Sequence, residues 1–115
     1  MEYKNEEGLI ILVTTCGQRE DAQKLARLLV ESKLAACSQV SGPITSFYWW
    51  QGKLEQDEEW QVKSKMPSEN FEKALAVLKE KHPYDLPQII AVPVTKALPQ
   101  YSEWVFAETR VAKHD

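Results

Sequence analysis

The chain has 115 residues, a length that closes one hydrophobic core and leaves little room for a second, so we expect a single domain spanning residues 1–115. Hydrophobic residues make up 43% and charged residues 27%, a balance typical of a globular protein and not of a disordered one. The formal net charge of −3 excludes the basic field that nucleic-acid phosphates require, so nucleic acid is not an expected partner.

The N-terminal segment and the cysteines bear on location. The segment MEYKNEEG is charged and lacks the apolar stretch of a signal peptide, and no apolar run approaches the ~20 residues of a membrane span. Cys16 and Cys37 lie in or beside apolar, strand-like runs, which favours reduced thiols over a disulfide framework. We therefore expect a cytoplasmic protein with no membrane partner, and flexible ends at residues 1–7 and 111–115.

The first half of the chain predicts a strand, a helix and a second strand. LIILVTT, which follows Gly8, is a continuous aliphatic and β-branched run, typical of a strand that is buried on both faces. Apolar residues recur at helical spacing across residues 19–32, which predicts the first helix. LAACSQV predicts the second strand, which the Gly42-Pro43 step interrupts before ITSFYWW. Proline lacks a ladder donor, so we expect a bulge or bend at this step.

The segment SFYWWQGKLEQDEEW predicts a hairpin that turns at residues 51–52. A two-residue loop fixes the register, so Trp50 faces Lys53 and Trp49 faces Leu54. Alternation then separates two faces of the ribbon. One face is expected to belong to the core: Phe47, Trp49, Leu54, Trp60, Val62 and Met66. The other face combines Tyr48 and Trp50 with charged or polar side chains: Lys53, Glu55, Asp57, Glu59, Gln61, Lys63 and Lys65.

The hairpin arms hold about fifteen residues each, beyond the usual three to ten, so the far end is expected to overhang the monomer. The charged face also carries too much ring surface for open water, since a buried aromatic side chain removes ~150 to 250 Å² from solvent. Such a ribbon needs cover from a closed, symmetric assembly. In the alternative, the register differs and the rings fill the core of a monomer. The expected homo-oligomer interface contains Tyr48, Trp50, Glu55, Asp57 and Glu59.

The second half predicts a helix, a strand and a last helix. The helical pattern that follows the third strand ends before Pro83, and QIIAVPVT predicts a fourth strand whose Pro93 favours an edge position. A helix is then expected from about Pro99 to Glu108. The order β-α-β-β-α-β with an extra helix is the split βαβ arrangement. The expected fold class is therefore α+β, ferredoxin-like, with an extended hairpin between strands two and three.

Four segments resemble motifs of the CutA family of divalent-cation tolerance proteins: SKLAACSQV, SFYWWQGKLEQDEEW, KEKHPYDLP and YSEWV. The resemblance runs from about Ile10 to Val105, with the motifs in the same order and at compatible spacing. It implies a ferredoxin-like homotrimer, related in architecture to the PII signalling proteins, in which long hairpins embrace neighbouring subunits. It also implies a role in the response to metal ions, with copper or another divalent cation as the bound ion.

Some bacterial members of the family have a copper site built from a first-strand cysteine and two adjacent histidines before Pro-Tyr, so the resemblance implies a comparable site here. In this chain Thr14 and Lys81 occupy two of those positions, and only His82 matches. Topology offers a partial replacement, because the end of strand one and the end of helix two lie at the same pole of such a sheet. The candidate metal ligands are therefore Cys16 and His82, with a third donor from another subunit, from Asp85 or from water.

Both candidate ligands have structural alternatives. Cys16 can serve as a small apolar residue at a strand end. His82 can serve as a cation at a helix C-terminus, which is favourable by roughly 0.3 to 1 kcal/mol. Cys37 is expected at the opposite pole, where packing is its expected role.

Motifs of catalysis do not occur in the sequence. It contains no G-x-S-x-G elbow, Walker loop, H-E-x-x-H or Cys-x-x-Cys pair, so we expect no enzymatic activity. A ligand cleft is expected where Lys81, His82 and Tyr84 meet Trp49 and Trp50 of a neighbouring subunit, because interfacial pockets are common ligand sites. The leading hypothesis is a homotrimer that binds divalent metal, copper first. The alternatives are a PII-like regulatory module that binds a small anionic ligand and a trimeric scaffold for partner proteins.

Overall fold

The computed structural model describes residues 8–110. The flexible ends that we expect at residues 1–7 and 111–115 lie outside this range. None of the helices within the range is long and apolar enough to cross a membrane. The predicted order of strands and helices is confirmed: β1 Leu9–Cys16, α1 Arg19–Glu31, β2 Cys37–Trp50, β3 Lys53–Pro67, a 3₁₀ turn Ser68–Asn70, α2 Phe71–Lys81, β4 Ile89–Pro93 and α3 Pro99–Glu108.

The four strands form one antiparallel sheet in the order β2-β3-β1-β4. β1 lies between two strands and is buried along nearly its whole length, as its continuous apolar run predicts. β4 is an edge strand, which confirms the position that Pro93 favours, because an edge tolerates a missing ladder donor. Over the described residues the fold is therefore α+β, with three α-helices and an antiparallel sheet of four strands.

The core lies between the sheet and the two helices α1 and α2. Alternation places Leu12 of β1 on the same face as Val62 and Met66 of β3, and all three side chains are fully buried. The apolar spacing that predicts α1 is confirmed, because the same stripe faces the core. The helices contribute Ala22, Leu25, Ala26, Leu29, Ala74 and Leu78.

The last helix, α3, contacts β3 from the other face of the sheet. Cys37 pairs with Lys65, whose side chain alternates with that of the buried Met66. Tyr101 of α3 lies near Cys37, and Val105 is fully buried in this layer. Cys37 therefore lies beside α3, away from the pole where β1 ends, as predicted.

The β2–β3 hairpin extends beyond the rest of the sheet, as predicted. Its register is confirmed from the turn onward, where Trp50 faces Lys53. Pairing between β1 and β3 ends at Cys16 opposite Trp60, whereas β3 continues to the turn. The outer part of the hairpin is therefore a two-stranded ribbon, and the described chain measures 51 × 30 × 21 Å.

The core assignment of one hairpin face is wrong at its outer end. The inner residues of that face are buried or packed against the core, but Phe47, Trp49 and Leu54 are 65%, 72% and 61% exposed. Alternation predicts the face that a side chain occupies, whereas burial also requires a layer that packs on that face. The outer hairpin lies beyond the end of β1 at Cys16, where no such layer is present among the described residues. The alternative in which the rings of the charged face fill the core of a monomer is also wrong, because the register holds and Tyr48 and Trp50 are 40% and 43% exposed.

A β-bulge at residues 42–43 decides which way the outer hairpin side chains point. Before the bulge Val40 faces Val62, and after it Ile44 faces Glu59, so the alternation shifts by one position. The bulge lies where the Gly-Pro step predicts it. Without this shift, the even-numbered residues of outer β2 would lie on the helix side of the sheet. The shift instead places two rings on the face of Glu59: Tyr48 and Trp50.

Candidate functional site

The end of β1, the end of α2 and the loop of residues 83–88 meet at one pole of the sheet. His82 caps the C-terminus of α2: its N–H donates to the Leu78 carbonyl at 2.8 Å, and its extended backbone leads the chain away from the helix. Pro83 follows and cannot continue the helix. The imidazole of His82 is 8% exposed and lies against the end of β1.

Both ring nitrogens of His82 form hydrogen bonds. Nδ1 accepts the backbone N–H of Tyr84 at 3.1 Å, so Nε2 carries the ring proton. Nε2 lies 3.0 Å from the Thr15 carbonyl, which only accepts, and 3.0 Å from Thr14 Oγ1. Burial lowers the pKa of His82, which favours the neutral ring over the cation considered for this helix end. His82 therefore joins the helix end, the loop and β1 as a neutral imidazole.

Cys16 lies beside this ring, as topology predicts, with its Sγ 3.9 Å from Nε2 of His82. The thiol is fully buried within the core cluster. Burial raises the pKa of Cys16 to about 11, and the negative charges of Asp21 and Glu59 add to the rise. The side chain is therefore a protonated thiol near neutral pH, the less reactive form of cysteine.

The candidate metal site has two of its predicted ligands in contact. Asp85 is exposed on the adjoining loop. Within residues 8–110, no group of three His, Cys, Asp or Glu side chains lies close enough to hold a metal ion. Both ring nitrogens of His82 are also engaged. The residues of one chain therefore do not fit a preformed metal centre, and the copper site stays a prediction that requires a further donor.

Tyr84 joins the loop to the hairpin. Its hydroxyl donates to Glu59 Oε2 at 2.9 Å, and its ring centroid is 5.1 Å from that of His82. Burial, followed by the hydrogen bond to Glu59, raises the pKa of Tyr84, so the hydroxyl keeps its proton and donates. Gly17 leaves room for this contact, because a Cβ there would lie 3.1 Å from the Tyr84 hydroxyl oxygen.

A pocket of about 700 Å³ lies between the hairpin and the loop. Its volume is within the range of small-molecule sites in proteins. The hairpin contributes four aromatic residues: Phe47, Tyr48, Trp49 and Trp50. The other principal walls are Glu59, Tyr84, Asp85 and Leu86.

Three of the five predicted cleft residues line this pocket, namely Trp49, Trp50 and Tyr84. The pocket forms within one chain, whereas we expected it between subunits. His82 lies behind Tyr84, and Lys81 lies in a separate groove of about 400 Å³ beside α1. Glu59, which the sequence predicts at a subunit interface, also lines the pocket, where it accepts a hydrogen bond from Tyr84 of the loop. The sequence did not indicate this second position of Glu59. That bond joins residues far apart in the chain, so no local pattern signals it.

The residues predicted at a subunit interface share one face of the hairpin, as the register requires. Tyr48 faces Glu55 across the ribbon, and its hydroxyl donates to Asp57. This hydrogen bond, together with nearby negative charge, raises the pKa of Tyr48 to about 12. Tyr48 and Trp50 are 40% and 43% exposed. Their role at an interface stays a prediction.

The fold and the pole together define an α+β class of protein, in which an antiparallel sheet carries a long aromatic hairpin and has a thiol–imidazole pair at one pole. Residues 10–108 match the family model of the CutA1 divalent ion tolerance protein, so the chain belongs to this family. The resemblance seen in the four sequence motifs is thereby confirmed.

Individual relatives agree with this assignment. The divalent-cation tolerance protein CutA of Pectobacterium atrosepticum is 36% identical over 101 residues, which cover 88% of this chain and 92% of the relative. The crystal structure of CutA from Xylella fastidiosa has a TM-score of 0.86 at 35% identity, covering 90% of this chain and 99% of that one. The structure of the periplasmic divalent cation tolerance protein CutA from Archaeoglobus fulgidus has a TM-score of 0.86 at 33% identity, covering 89% and 99%. The family connects this chain with divalent-cation tolerance, and the names of the family and of these relatives describe tolerance, not a catalysed reaction.

Proposed function

We propose that the protein acts in the response to divalent metal ions as a ferredoxin-like homotrimer without enzymatic activity. The observation that carries the proposal is the overhanging hairpin, on which Phe47, Trp49 and Leu54 are 65%, 72% and 61% exposed. Apolar rings of this size are costly to leave in water, so a neighbouring copy is the simplest cover. A closed ring of copies covers every hairpin and leaves no open end.

Two further surfaces support self-association. Apolar side chains on β4, on α3 and at the N-cap of α3 are also exposed: Ile90, Val92, Leu98, Tyr101 and Trp104. The segment of β3 from Lys53 to Glu59 pairs with β2 on one edge only, because the pairing with β1 begins at Trp60. Such an edge is a ready site for a strand of another chain. The number three comes from the resemblance to the family.

Sedimentation equilibrium tests the assembly. We expect the wild-type protein to have the mass of three chains down to nanomolar concentration, and Trp49→Glu to dissociate, because a carboxylate would be buried against a neighbour. Gln23→Glu is the matched control, since it adds the same charge at an exposed position of α1. A wild-type protein that remains a stable monomer at micromolar concentration would contradict the homotrimer.

Copper is the ion that we propose for this assembly. The supporting observation is the distance of 3.9 Å between Cys16 Sγ and His82 Nε2, because thiolate and imidazole together suit copper better than magnesium or calcium. A further donor must come from a second copy, from Asp85 or from water. Copper binding would also require one ring nitrogen of His82 to give up its present hydrogen bond.

A copper(I) titration against a competing chelator tests this site. We expect one ion per chain in the wild type and a loss of at least about tenfold in affinity in Cys16→Ala and in His82→Ala. Cys37→Ala is the matched control, because the second thiol lies beside α3 and away from the pole. Equal affinities in all four proteins would exclude the pair as the copper site.

We further propose a cytoplasmic location. Both cysteines are free thiols, and Cys37 is only partly buried. A reducing compartment would keep such a thiol unmodified. Fractionation of cells that express the tagged full-length protein tests the proposal, and recovery in an extracytoplasmic fraction would contradict it.

The alternatives to metal binding are a PII-like module that binds a small ligand and a trimeric scaffold for partner proteins. The pocket of about 700 Å³ favours the ligand-binding alternative. An anionic ligand is disfavoured, because the described walls of the pocket include Glu59 and Asp85 and contain no Lys, Arg or His side chain.

A further inference from the structure

We infer that the loop of residues 83–88 regulates the proposed copper site by controlling the imidazole of His82 through the backbone N–H of Tyr84. The inference rests on the proposed role of Cys16 and His82 as copper ligands. As long as Tyr84 donates to the ring, His82 has no nitrogen free for an ion that Cys16 shares. Tyr84 is therefore a positioning residue, and the closed loop keeps the pair from binding metal.

The ring of His82 has a single lone pair, and the loop occupies it. A neutral imidazole has a proton on one nitrogen and a lone pair on the other. In His82 the lone pair is on Nδ1, which accepts the Tyr84 N–H at 3.1 Å. The proton is on Nε2, which lies 3.0 Å from the Thr15 carbonyl oxygen. Neutral histidine binds a metal ion through its lone pair, so it cannot do so while both contacts are kept.

The position of Cys16 decides which nitrogen a shared ion would use. Its Sγ lies 3.9 Å from Nε2, whereas Nδ1 faces the loop. Use of Nε2 requires the ring proton to lie on Nδ1, where it would face the Tyr84 N–H, and two donors cannot form a hydrogen bond. Use of Nδ1 would replace the Tyr84 N–H directly. The Tyr84 N–H must therefore leave the ring in either case.

Two side-chain contacts hold the Tyr84 N–H in place. The phenol hydroxyl donates to Glu59 Oε2 of β3 at 2.9 Å, and the phenol ring packs against the imidazole of His82 with a centroid distance of 5.1 Å. Both contacts are made within one chain, so the closed loop does not depend on whether a neighbouring copy covers the hairpin. Tyr84 thus ties the loop to the hairpin and to the end of α2.

The closed loop lowers the affinity that the pair can show for an ion. When a site binds in only one of two conformations, its apparent affinity is reduced by the fraction of molecules in that conformation. The closed loop is the conformation in which Tyr84 donates to His82, so the open form is the minor one. Weakening the closed loop should therefore strengthen copper binding. A residue that only maintains the fold would weaken binding when it is lost.

A copper(I) titration of the full-length protein against a competing chelator tests the sign of this effect. Tyr84→Phe removes the hydroxyl but keeps the ring and the backbone N–H, and we expect it to raise copper affinity by about three- to tenfold. Tyr101→Phe is the matched control, because it removes the same atom from α3, beside Cys37 and away from the pole. An affinity that Tyr84→Phe leaves unchanged or lowers would overturn the inference alone. The absence of copper binding in all three proteins would overturn the copper site as well.

Amide exchange measured by NMR follows the loop without relying on affinity. In the metal-free protein, we expect Tyr84→Phe to speed exchange at the amide of residue 84 by about three- to tenfold, because the loop opens more often. The amide of Thr109, which donates to the Val105 carbonyl of α3, is the internal control and should not change. One equivalent of copper(I), which is diamagnetic, should speed exchange at Tyr84 in the wild type. Exchange at Tyr84 that stays unchanged or slows when copper binds would overturn the inference.

Discussion

A single imidazole connects three segments at the pole of this sheet. His82 accepts the N–H of Tyr84 at Nδ1 and donates from Nε2 to the Thr15 carbonyl, a pattern that only the neutral tautomer provides. We propose His82 as a copper ligand, whereas its hydrogen bonds and burial give it a structural role. A bound copper ion would compete with these hydrogen bonds for the same nitrogen atoms.

The lowered pKa of His82 makes stability depend on pH. Because burial disfavours the charged ring, the unfolded chain binds more protons than the folded chain once the pH falls through the ordinary histidine value, about 6.5. The contribution of His82 to the free energy of unfolding is therefore complete above that pH and is lost as the pH falls below it. We expect His82→Gln, which cannot titrate, to lose less stability than the wild type between pH 8 and pH 5.

Urea denaturation in the presence of a chelator, at one fixed chain concentration, measures this difference. The comparison of wild type and variant removes the contributions of carboxylates that titrate in both proteins. Parallel pH profiles for the two proteins would show that His82 titrates alike in the folded and unfolded states.

At the scale of elements, the hairpin shows what sequence patterns can and cannot predict. A two-residue turn fixes the register of every outer pair, so the register from Trp50 and Lys53 onward is predicted correctly. The burial of Trp49 is predicted wrongly, because the side-chain pattern of one strand does not show where the neighbouring strand ends. β1 stops opposite Trp60, and the rings beyond that point have no layer to cover them.

The bulge in β2 depends on a close approach that only glycine allows. A Cβ at Gly42 would lie 2.6 Å from Cδ1 of Trp60 and 3.0 Å from the Glu59 carbonyl oxygen. We expect Gly42→Ala to lower the free energy of unfolding by about 1–3 kcal/mol, because the indole must move to admit the methyl group. Urea denaturation at a fixed chain concentration measures the loss.

A second background separates this contact from other effects of the substitution. In Trp60→Ala the two indole atoms nearest to the added Cβ, Cδ1 at 2.6 Å and Cγ at 2.8 Å, are both gone, so Gly42→Ala should cost less there than in the wild type. The same cost in both backgrounds would show that the indole is not the obstacle and that the backbone at the bulge is.

The candidate site was predictable to the extent that topology decides it. The contact between Cys16 and His82 follows from the ends of one strand and one helix meeting at one pole. The pocket within one chain was not predictable, because it depends on the Tyr84–Glu59 hydrogen bond and on the loop that carries Tyr84. Residue types and their spacing do not determine the conformation of such a loop.

At the scale of the whole molecule, assembly should govern thermal stability. If folded chains are stable chiefly as an oligomer, the melting temperature rises with chain concentration, because association removes folded monomer from the unfolding equilibrium. We expect this dependence in the wild type and its loss in Trp49→Glu. Scanning calorimetry over a hundredfold range of concentration measures it, and a concentration-independent wild-type transition would contradict the proposed assembly.

The one-sided edge of β3 also limits the symmetry of that assembly. Its outer segment holds a single lysine and four carboxylates: Lys53, Glu55, Asp57, Glu58 and Glu59. A two-fold dimer through this edge would set acid against acid, which is unfavourable for directly opposed residues. The edge is therefore expected to meet an unlike surface of the next copy, and contacts between unlike surfaces repeat head to tail until the circle closes. A closed ring of this kind can have an odd number of subunits, whereas an assembly built only of two-fold pairs always has an even number.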